Sequence, residues 1–123
     1  MKRLYALRGA AQCLNQAEDI RLQTAALYDE LLQDNGLEEG DVVSLIFSVT
    51  ADLKALNPAA ALRGSGRAAD LALFCVQEAD IPGSLERVVR VLIHCYLEEG
   101  AVPRHVYRNG AEALRPDRAP PLP

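Results

Sequence analysis

The sequence predicts a single α/β domain in which a mixed sheet packs against one long helix. Three observations carry this prediction. Apolar residues keep helical spacing over only one long stretch, several short runs are rich in β-branched residues, and 123 residues, half of them hydrophobic, suffice for one modest core. The domain is expected to span residues 1–117, with the proline-rich tail 118–123 too short to pack and expected to stay disordered.

The opening RLYALRG alternates Leu4 and Ala6 against Tyr5 and Leu7, which predicts a strand ending at Gly9 and places Arg8 at its end. Asn15 with Glu18 three residues on has the form of a capping box. Ile20, Thr24, Leu27 and Leu31 then mark a helix over residues 16–35, with Gly36 as its C-terminal stop. VVSLIFSVT, after Asp41, is apolar on both faces and predicts a strand covered on both sides. In ADLKALNPAAALRGSGRAAD, Pro58 opens a turn or two of helix that Gly64, Ser65 and Gly66 break.

LALFCVQ predicts another strand and IPGS a turn. RVVRVLIHCYL predicts a longer strand with Val89, Val91, Ile93 and Cys95 on one face, and Val88, Arg90, Leu92, His94 and Tyr96 on the other. HVYRNG predicts a short strand and a turn at Asn109 and Gly110, followed by one helical turn. A single long helix covers one face of such a sheet, so the second apolar face is expected to be hidden by packing between copies in a closed homo-oligomer.

Composition excludes several functions. A net charge of −4 offers no basic stripe for nucleic acid, and the longest apolar runs, LALFCV and VLIHCYL, are far too short to span a membrane. The N-terminus lacks an apolar signal core, so a cytoplasmic location is expected. Cys13, Cys75 and Cys95 are odd in number without CxxC spacing, which fits reduced thiols, and with only two histidines, His94 and His105, no metal is expected. Neither histidine has a carboxylate within sequence reach, and both are read as structural. Eleven of the thirteen basic residues are arginine, whose planar fork suits carboxylates.

Arg90, set within VVRVLIHC, is the most informative residue, because a guanidinium amid apolar neighbours requires an acceptor. Two readings stand open: an ion pair with Glu78 or another carboxylate, or a pocket that receives an anionic ligand. Glu78 lies just past an apolar strand, where chain exits place site residues. Cys75 has no His or Asp arrangement to make it a nucleophile. Arg8, Arg63, Arg115 and Tyr107 lie at predicted strand ends or in connections.

Taken in order, RGA, SVTADL, NPAAALR, CVQEAD, RVVRV, RHVY and LRPD resemble the AroH-type chorismate mutases from about Arg3 to Asp117. The resemblance implies a pseudo α/β barrel formed as a homotrimer, with active sites between neighbouring subunits, no cofactor, and rearrangement of chorismate to prephenate. It implies that Arg8 binds a carboxylate, that Arg90 contacts the ether oxygen and a carboxylate, and that Glu78 accepts a hydrogen bond from the ring hydroxyl. Tyr107 is implied to hold the side-chain carboxylate. Leu73, Phe74 and Cys75 are implied to line the ring pocket, and Arg63, Leu114 and Arg115 to contribute from segments at the cleft mouth. The sequence departs from the family at Asn57, where an aromatic is expected, and at Ala60, where a lysine is expected, which makes Arg63 and Arg67 candidates for compensating charge. Two other functions fit so small a chain: an imine or enamine deaminase of similar fold, whose motifs are absent, and a carboxylate-binding trimer without turnover.

Overall fold

In the computed structural model, residues 1–114 are described; Arg115, the expected boundary at residue 117 and the tail 118–123 lie outside them. The elements in chain order are β1 (Lys2–Gln12), α1 (Ala17–Asp34), a 3-10 turn (Glu39–Asp41), β2 (Val42–Val49), α2 (Pro58–Gly64), β3 (Ala72–Gln77), β4 (Val88–Glu98), β5 (Val106–Arg108) and a second 3-10 turn (Ala111–Leu114). The five strands form one sheet in the order β3-β2-β4-β1-β5. β4 is antiparallel to both β1 and β2, whereas the β1/β5 and β2/β3 pairs are parallel, so the sheet is mixed.

Alternation along the strands divides the side chains as the pattern predicts. Leu7, Leu45, Phe47, Val91 and Ile93 point to the buried face, where Ile20, Leu27 and Leu31 of α1 meet them. On the opposite face Leu4, Ile46, Phe74, Val76 and Tyr96 remain exposed in the single chain. β2 is therefore covered on one side only within the chain. Both α1 and α2 lie in one layer, α2 packing against α1 and β3, so within the chain the helices supply only one of the two covers expected.

β1 does not stop at Gly9. It continues to Gln12, so Arg8 lies in mid-strand opposite Leu92 rather than at a strand end. Gly9 is there because α1 crosses it closely: a Cβ at this position would stand 2.7 Å from Leu31 Cδ1 and 3.0 Å from Leu27 Cδ1. The expected capping box is also not formed. Gln16 occupies the N-cap of α1 without a side-chain bond, and Asn15 Oδ1 instead accepts from the Lys54 and Ala55 N–H groups at 2.9 and 3.0 Å. At the other end Asn35 caps the helix, its Nδ2 donating to Leu31 O, and Gly36 takes the left-handed conformation that stops it.

A second, smaller apolar cluster forms on the open face at one end of the sheet. Ala10, Val88 and Ala111 are buried there, with Leu85, Tyr107 and Leu114 packed around them. Asn109 and Gly110, both with positive φ, turn the chain after β5 so that the last 3-10 turn folds back onto β1.

Candidate active site

A cleft of about 250 Å³ opens beside this small cluster. Its floor is made by the small or apolar residues Ala10, Ile46 and Leu92, and Tyr107 and Leu114 form a wall. Arg8 and Arg90 enter it from neighbouring strands. Arg8 pairs with Leu92 and Ala10 with Arg90, so the two guanidiniums stand on the same face as diagonal neighbours. Ala10 also pairs with Tyr107 on the other side, and its small side chain leaves the space between Arg90 and Tyr107 open.

Arg90 forms the ion pair that its sequence context allowed, and it also lines the cleft. Its Nε lies 2.7 Å from Glu78 Oε1, yet its side chain remains 46% exposed, while that of Glu78 is 18% exposed. Glu78 is held at the end of β3 by its own N–H, which donates to Val49 O at 2.9 Å. Ser48 Oγ donates to the same carboxylate oxygen at 2.7 Å. Two arginines therefore line the cleft, no carboxylate is among its described lining residues, and Glu78 stands behind Arg90 as its ion-pair partner, leaving a site biased toward an anion.

The backbone at Arg8 has a partner of its own: its N–H donates to His105 Nδ1 at 2.9 Å. His105, read from sequence as merely structural, thus extends the β1/β5 pairing to the residue that carries the first arginine. Sequence offered no signal for this, since the contact joins residues nearly a chain length apart. Ser48 could have been suspected from alternation alone, which places it on the same face as Ile46.

The remaining predicted site residues do not reach this cleft within one chain. Leu73 and Cys75 point toward the helical layer and pack against the main core, whereas Phe74 points to the open face and is 65% exposed. Arg63 lies exposed in the last turn of α2, in the layer opposite the cleft. Asn57, one of the two departures, has a local role: its Oδ1 accepts from Ala59 N and Ala60 N at 2.9 and 3.4 Å and caps α2, with Pro58 at the first helical position. Arg67 is not available as compensating charge. Its Nε and Nη2 bind the two oxygens of Asp29, each at 2.8 Å, a bidentate pair on the surface.

Among the described residues no group of three His, Cys, Asp or Glu side chains is placed to hold a metal ion, and no helix is long and apolar enough to cross a membrane. The arrangement can grip a small acidic molecule by two guanidiniums and a tyrosine. No cysteine is among the cleft's described lining residues, and the Ser48 hydroxyl there is hydrogen-bonded to Glu78.

Fold and site together define a small α/β domain with an arginine-lined cleft for a carboxylate-bearing ligand. The sequence matches the chorismate mutase type I family over residues 4–118. The chorismate mutase AroH of Bacillus subtilis (strain 168) is 34% identical over 116 residues, covering 90% of this chain and 89% of its own. The AroH of Thermus thermophilus is 36% identical over 118 residues, covering 90% and 95%. Among solved structures, a chorismate mutase from Clostridium thermocellum matches with a TM-score of 0.83 at 43% identity, over 89% of this chain and 98% of that one. The chain belongs to the chorismate mutase type I family, as its ordered motifs implied.

Proposed function

We propose that this protein is an isomerase that rearranges chorismate to prephenate, a step of aromatic amino-acid biosynthesis, and that the cleft between Arg8, Arg90 and Tyr107 carries the reaction. The observation that supports this most directly is the convergence of Arg8 and Arg90 on one small cleft in a chain of this family. The reaction is intramolecular. It needs a dicarboxylate held in a compact conformation in which the reacting carbons lie close, and it needs neither acid, base nor nucleophile.

The carbon–oxygen bond breaks ahead of carbon–carbon bond formation, so negative charge grows on the ether oxygen. A fixed cation at that atom binds the transition state more tightly than the ground state. Arg90 takes this role, because its Nε is engaged by Glu78 and its terminal nitrogens are left for the ligand. Arg8 and Tyr107 hold carboxylates, and Glu78 accepts from the ring hydroxyl.

The working form in this reading is a homotrimer in the cytoplasm. Two features favour assembly: the exposed apolar face bearing Leu4, Ile46, Phe74, Val76 and Tyr96, and the position of β3 at the sheet edge. A neighbouring copy would bring its own Arg63 and its β3 edge, with the Phe74 side chain and the backbone of Leu73 and Cys75, to the cleft, which they do not reach within one chain; Leu114 stands in the wall, and Arg115 follows it.

The test is direct. Purified protein is mixed with chorismate, its absorbance loss is followed, and prephenate is confirmed by acid conversion to phenylpyruvate. Conversion that disappears in Arg90→Ala is the expected result. Binding without conversion would leave a carboxylate-binding protein in place of an enzyme.

A further inference from the structure

Ser48 occupies the point where β2 runs between Arg90, which lines the cleft, and Glu78, which pairs with it. β2 pairs with β3 on one side and β4 on the other, and the register sets Ser48 opposite both Val76 and Arg90. Glu78 follows two residues after Val76, and its bond to Val49 O turns it back over β2. Ser48 Oγ and Arg90 Nε then meet the same oxygen, Glu78 Oε1, each at 2.7 Å. Ser48 is half-buried and itself lines the cleft.

We propose that Ser48 is a positioning residue for the rearrangement: its hydroxyl holds Oε1 of Glu78 so that Oε2 is presented to the ligand and Arg90 is fixed by a carboxylate that cannot swing away. The inference rests on the reaction assigned to this cleft. A glutamate has three side-chain torsions, and the last is broad, so one contact does not define where its second oxygen points. The ion pair alone is a weak constraint because its arginine is half exposed. A directional hydrogen bond from Ser48, added on the same oxygen to the ion pair with Arg90 of the adjacent strand, removes that freedom.

The experiment compares Ser48→Thr with Ser48→Val in the full chain. Threonine and valine have nearly the same shape and both suit a strand, so effects on folding and packing cancel between them and the hydroxyl is the difference. Ser48→Val is expected to lose roughly tenfold to a hundredfold in kcat, the scale of a hydrogen bond to a charged group. KM should move less than about threefold, because the ligand's carboxylates are held elsewhere. Ser48→Thr is expected to restore most of the loss. In a Glu78→Ala background, adding Ser48→Val should cost less than about twofold, because the group it positions is gone.

Equal rates for the Thr and Val variants would overturn the proposal, and so would a Val penalty undiminished in the Glu78→Ala background. Wild-type turnover by Glu78→Ala would remove the residue through which Ser48 acts. An unaltered chain without any turnover would refute the reaction reading itself, and this inference with it.

Discussion

Arg90 and Glu78 reach each other from β4 and the end of β3 across the intervening β2, with 2.7 Å between Nε and Oε1. The pair engages Nε and leaves the guanidinium half exposed at the cleft. Removing the cation should cost at least about 3 kcal/mol of transition-state stabilisation, roughly a hundredfold or more in rate. Arg90→Ala is therefore expected to lose nearly all turnover while keeping its circular dichroism spectrum. Arg90→Lys should recover little, since a point charge cannot serve Glu78 and the ligand together. Near-normal rates for Arg90→Ala would defeat the assignment.

Gly9 lies beneath α1, next to Arg8. A methyl group there meets Leu31 Cδ1 at 2.7 Å, and Leu31 is fully buried, with little room to yield. Gly9→Ala should destabilise the fold by about 1–3 kcal/mol through overpacking. Urea titration of the variant reads this as a lower midpoint with an unchanged slope; an equal midpoint would show that α1 shifts freely.

Asn57 stands where the family resemblance leads one to expect an aromatic, and it caps α2. Its replacement by alanine should cost about 1 kcal/mol, with Asn57→Asp close to wild type, as measured by thermal melting. If Asn57→Ala melts with the wild type, the two N–H groups of Ala59 and Ala60 are satisfied equally well by solvent.

Two buried groups make the fold sensitive to alkali. Burial pushes the Cys13 thiol up to about 12, from 9.0, with Asp19 adding to the effect. Burial, and then the bond to Glu39, raises the Tyr28 hydroxyl well above its ordinary 10.0. Both groups ionise more easily in the unfolded chain, so their contribution is intact below pH 9 and lost as pH rises toward the folded values. Tyr28→Phe should be less stable at neutral pH by about 1–2 kcal/mol, having lost a bond to a carboxylate. Its stability should also fall less steeply above pH 10. Parallel stability curves for the two proteins would contradict this.

Leu4 and Tyr96 pair across β1 and β4 on the exposed apolar face, away from the cleft. If that face joins copies, Leu4→Glu should sediment as a single chain with its secondary structure retained. An unchanged assembly would place the interface elsewhere.

Much of the fold was legible because alternation and helical spacing are local signals. β1 and β4 showed their two faces in the order of their residues, and α1 was predicted within one residue at each end. The misreadings all involve distant partners. Asn15 resembled a cap but binds the loop after β2, and Gly9 resembled a strand end because nothing nearby reveals the helix lying over it. The site divides along the same line. Arg90 announced itself as a cation in an apolar strand, and alternation gave the face of Ser48 but not its bond to Glu78, whereas the contact of His105 with Arg8 joins residues far along the chain and left no local signal.

The order of strands in the sheet differs from their order of synthesis. β1 is made first, yet its neighbours are β4, through pairs such as Leu7 with Ile93, and β5, through Gly9 with Val106. A nascent chain carries Arg8 long before the strands that flank it exist, and the cleft acquires its Tyr107 wall only when β5 arrives. Folding must close a loop of most of the chain before these contacts reward it, which sets a slow, late step in place of growth from the N-terminus. The arginine-lined cleft is thus among the last parts of the molecule to be completed, and a chain cut short before β5 keeps both arginines but lacks the Tyr107 wall that closes the space beside them.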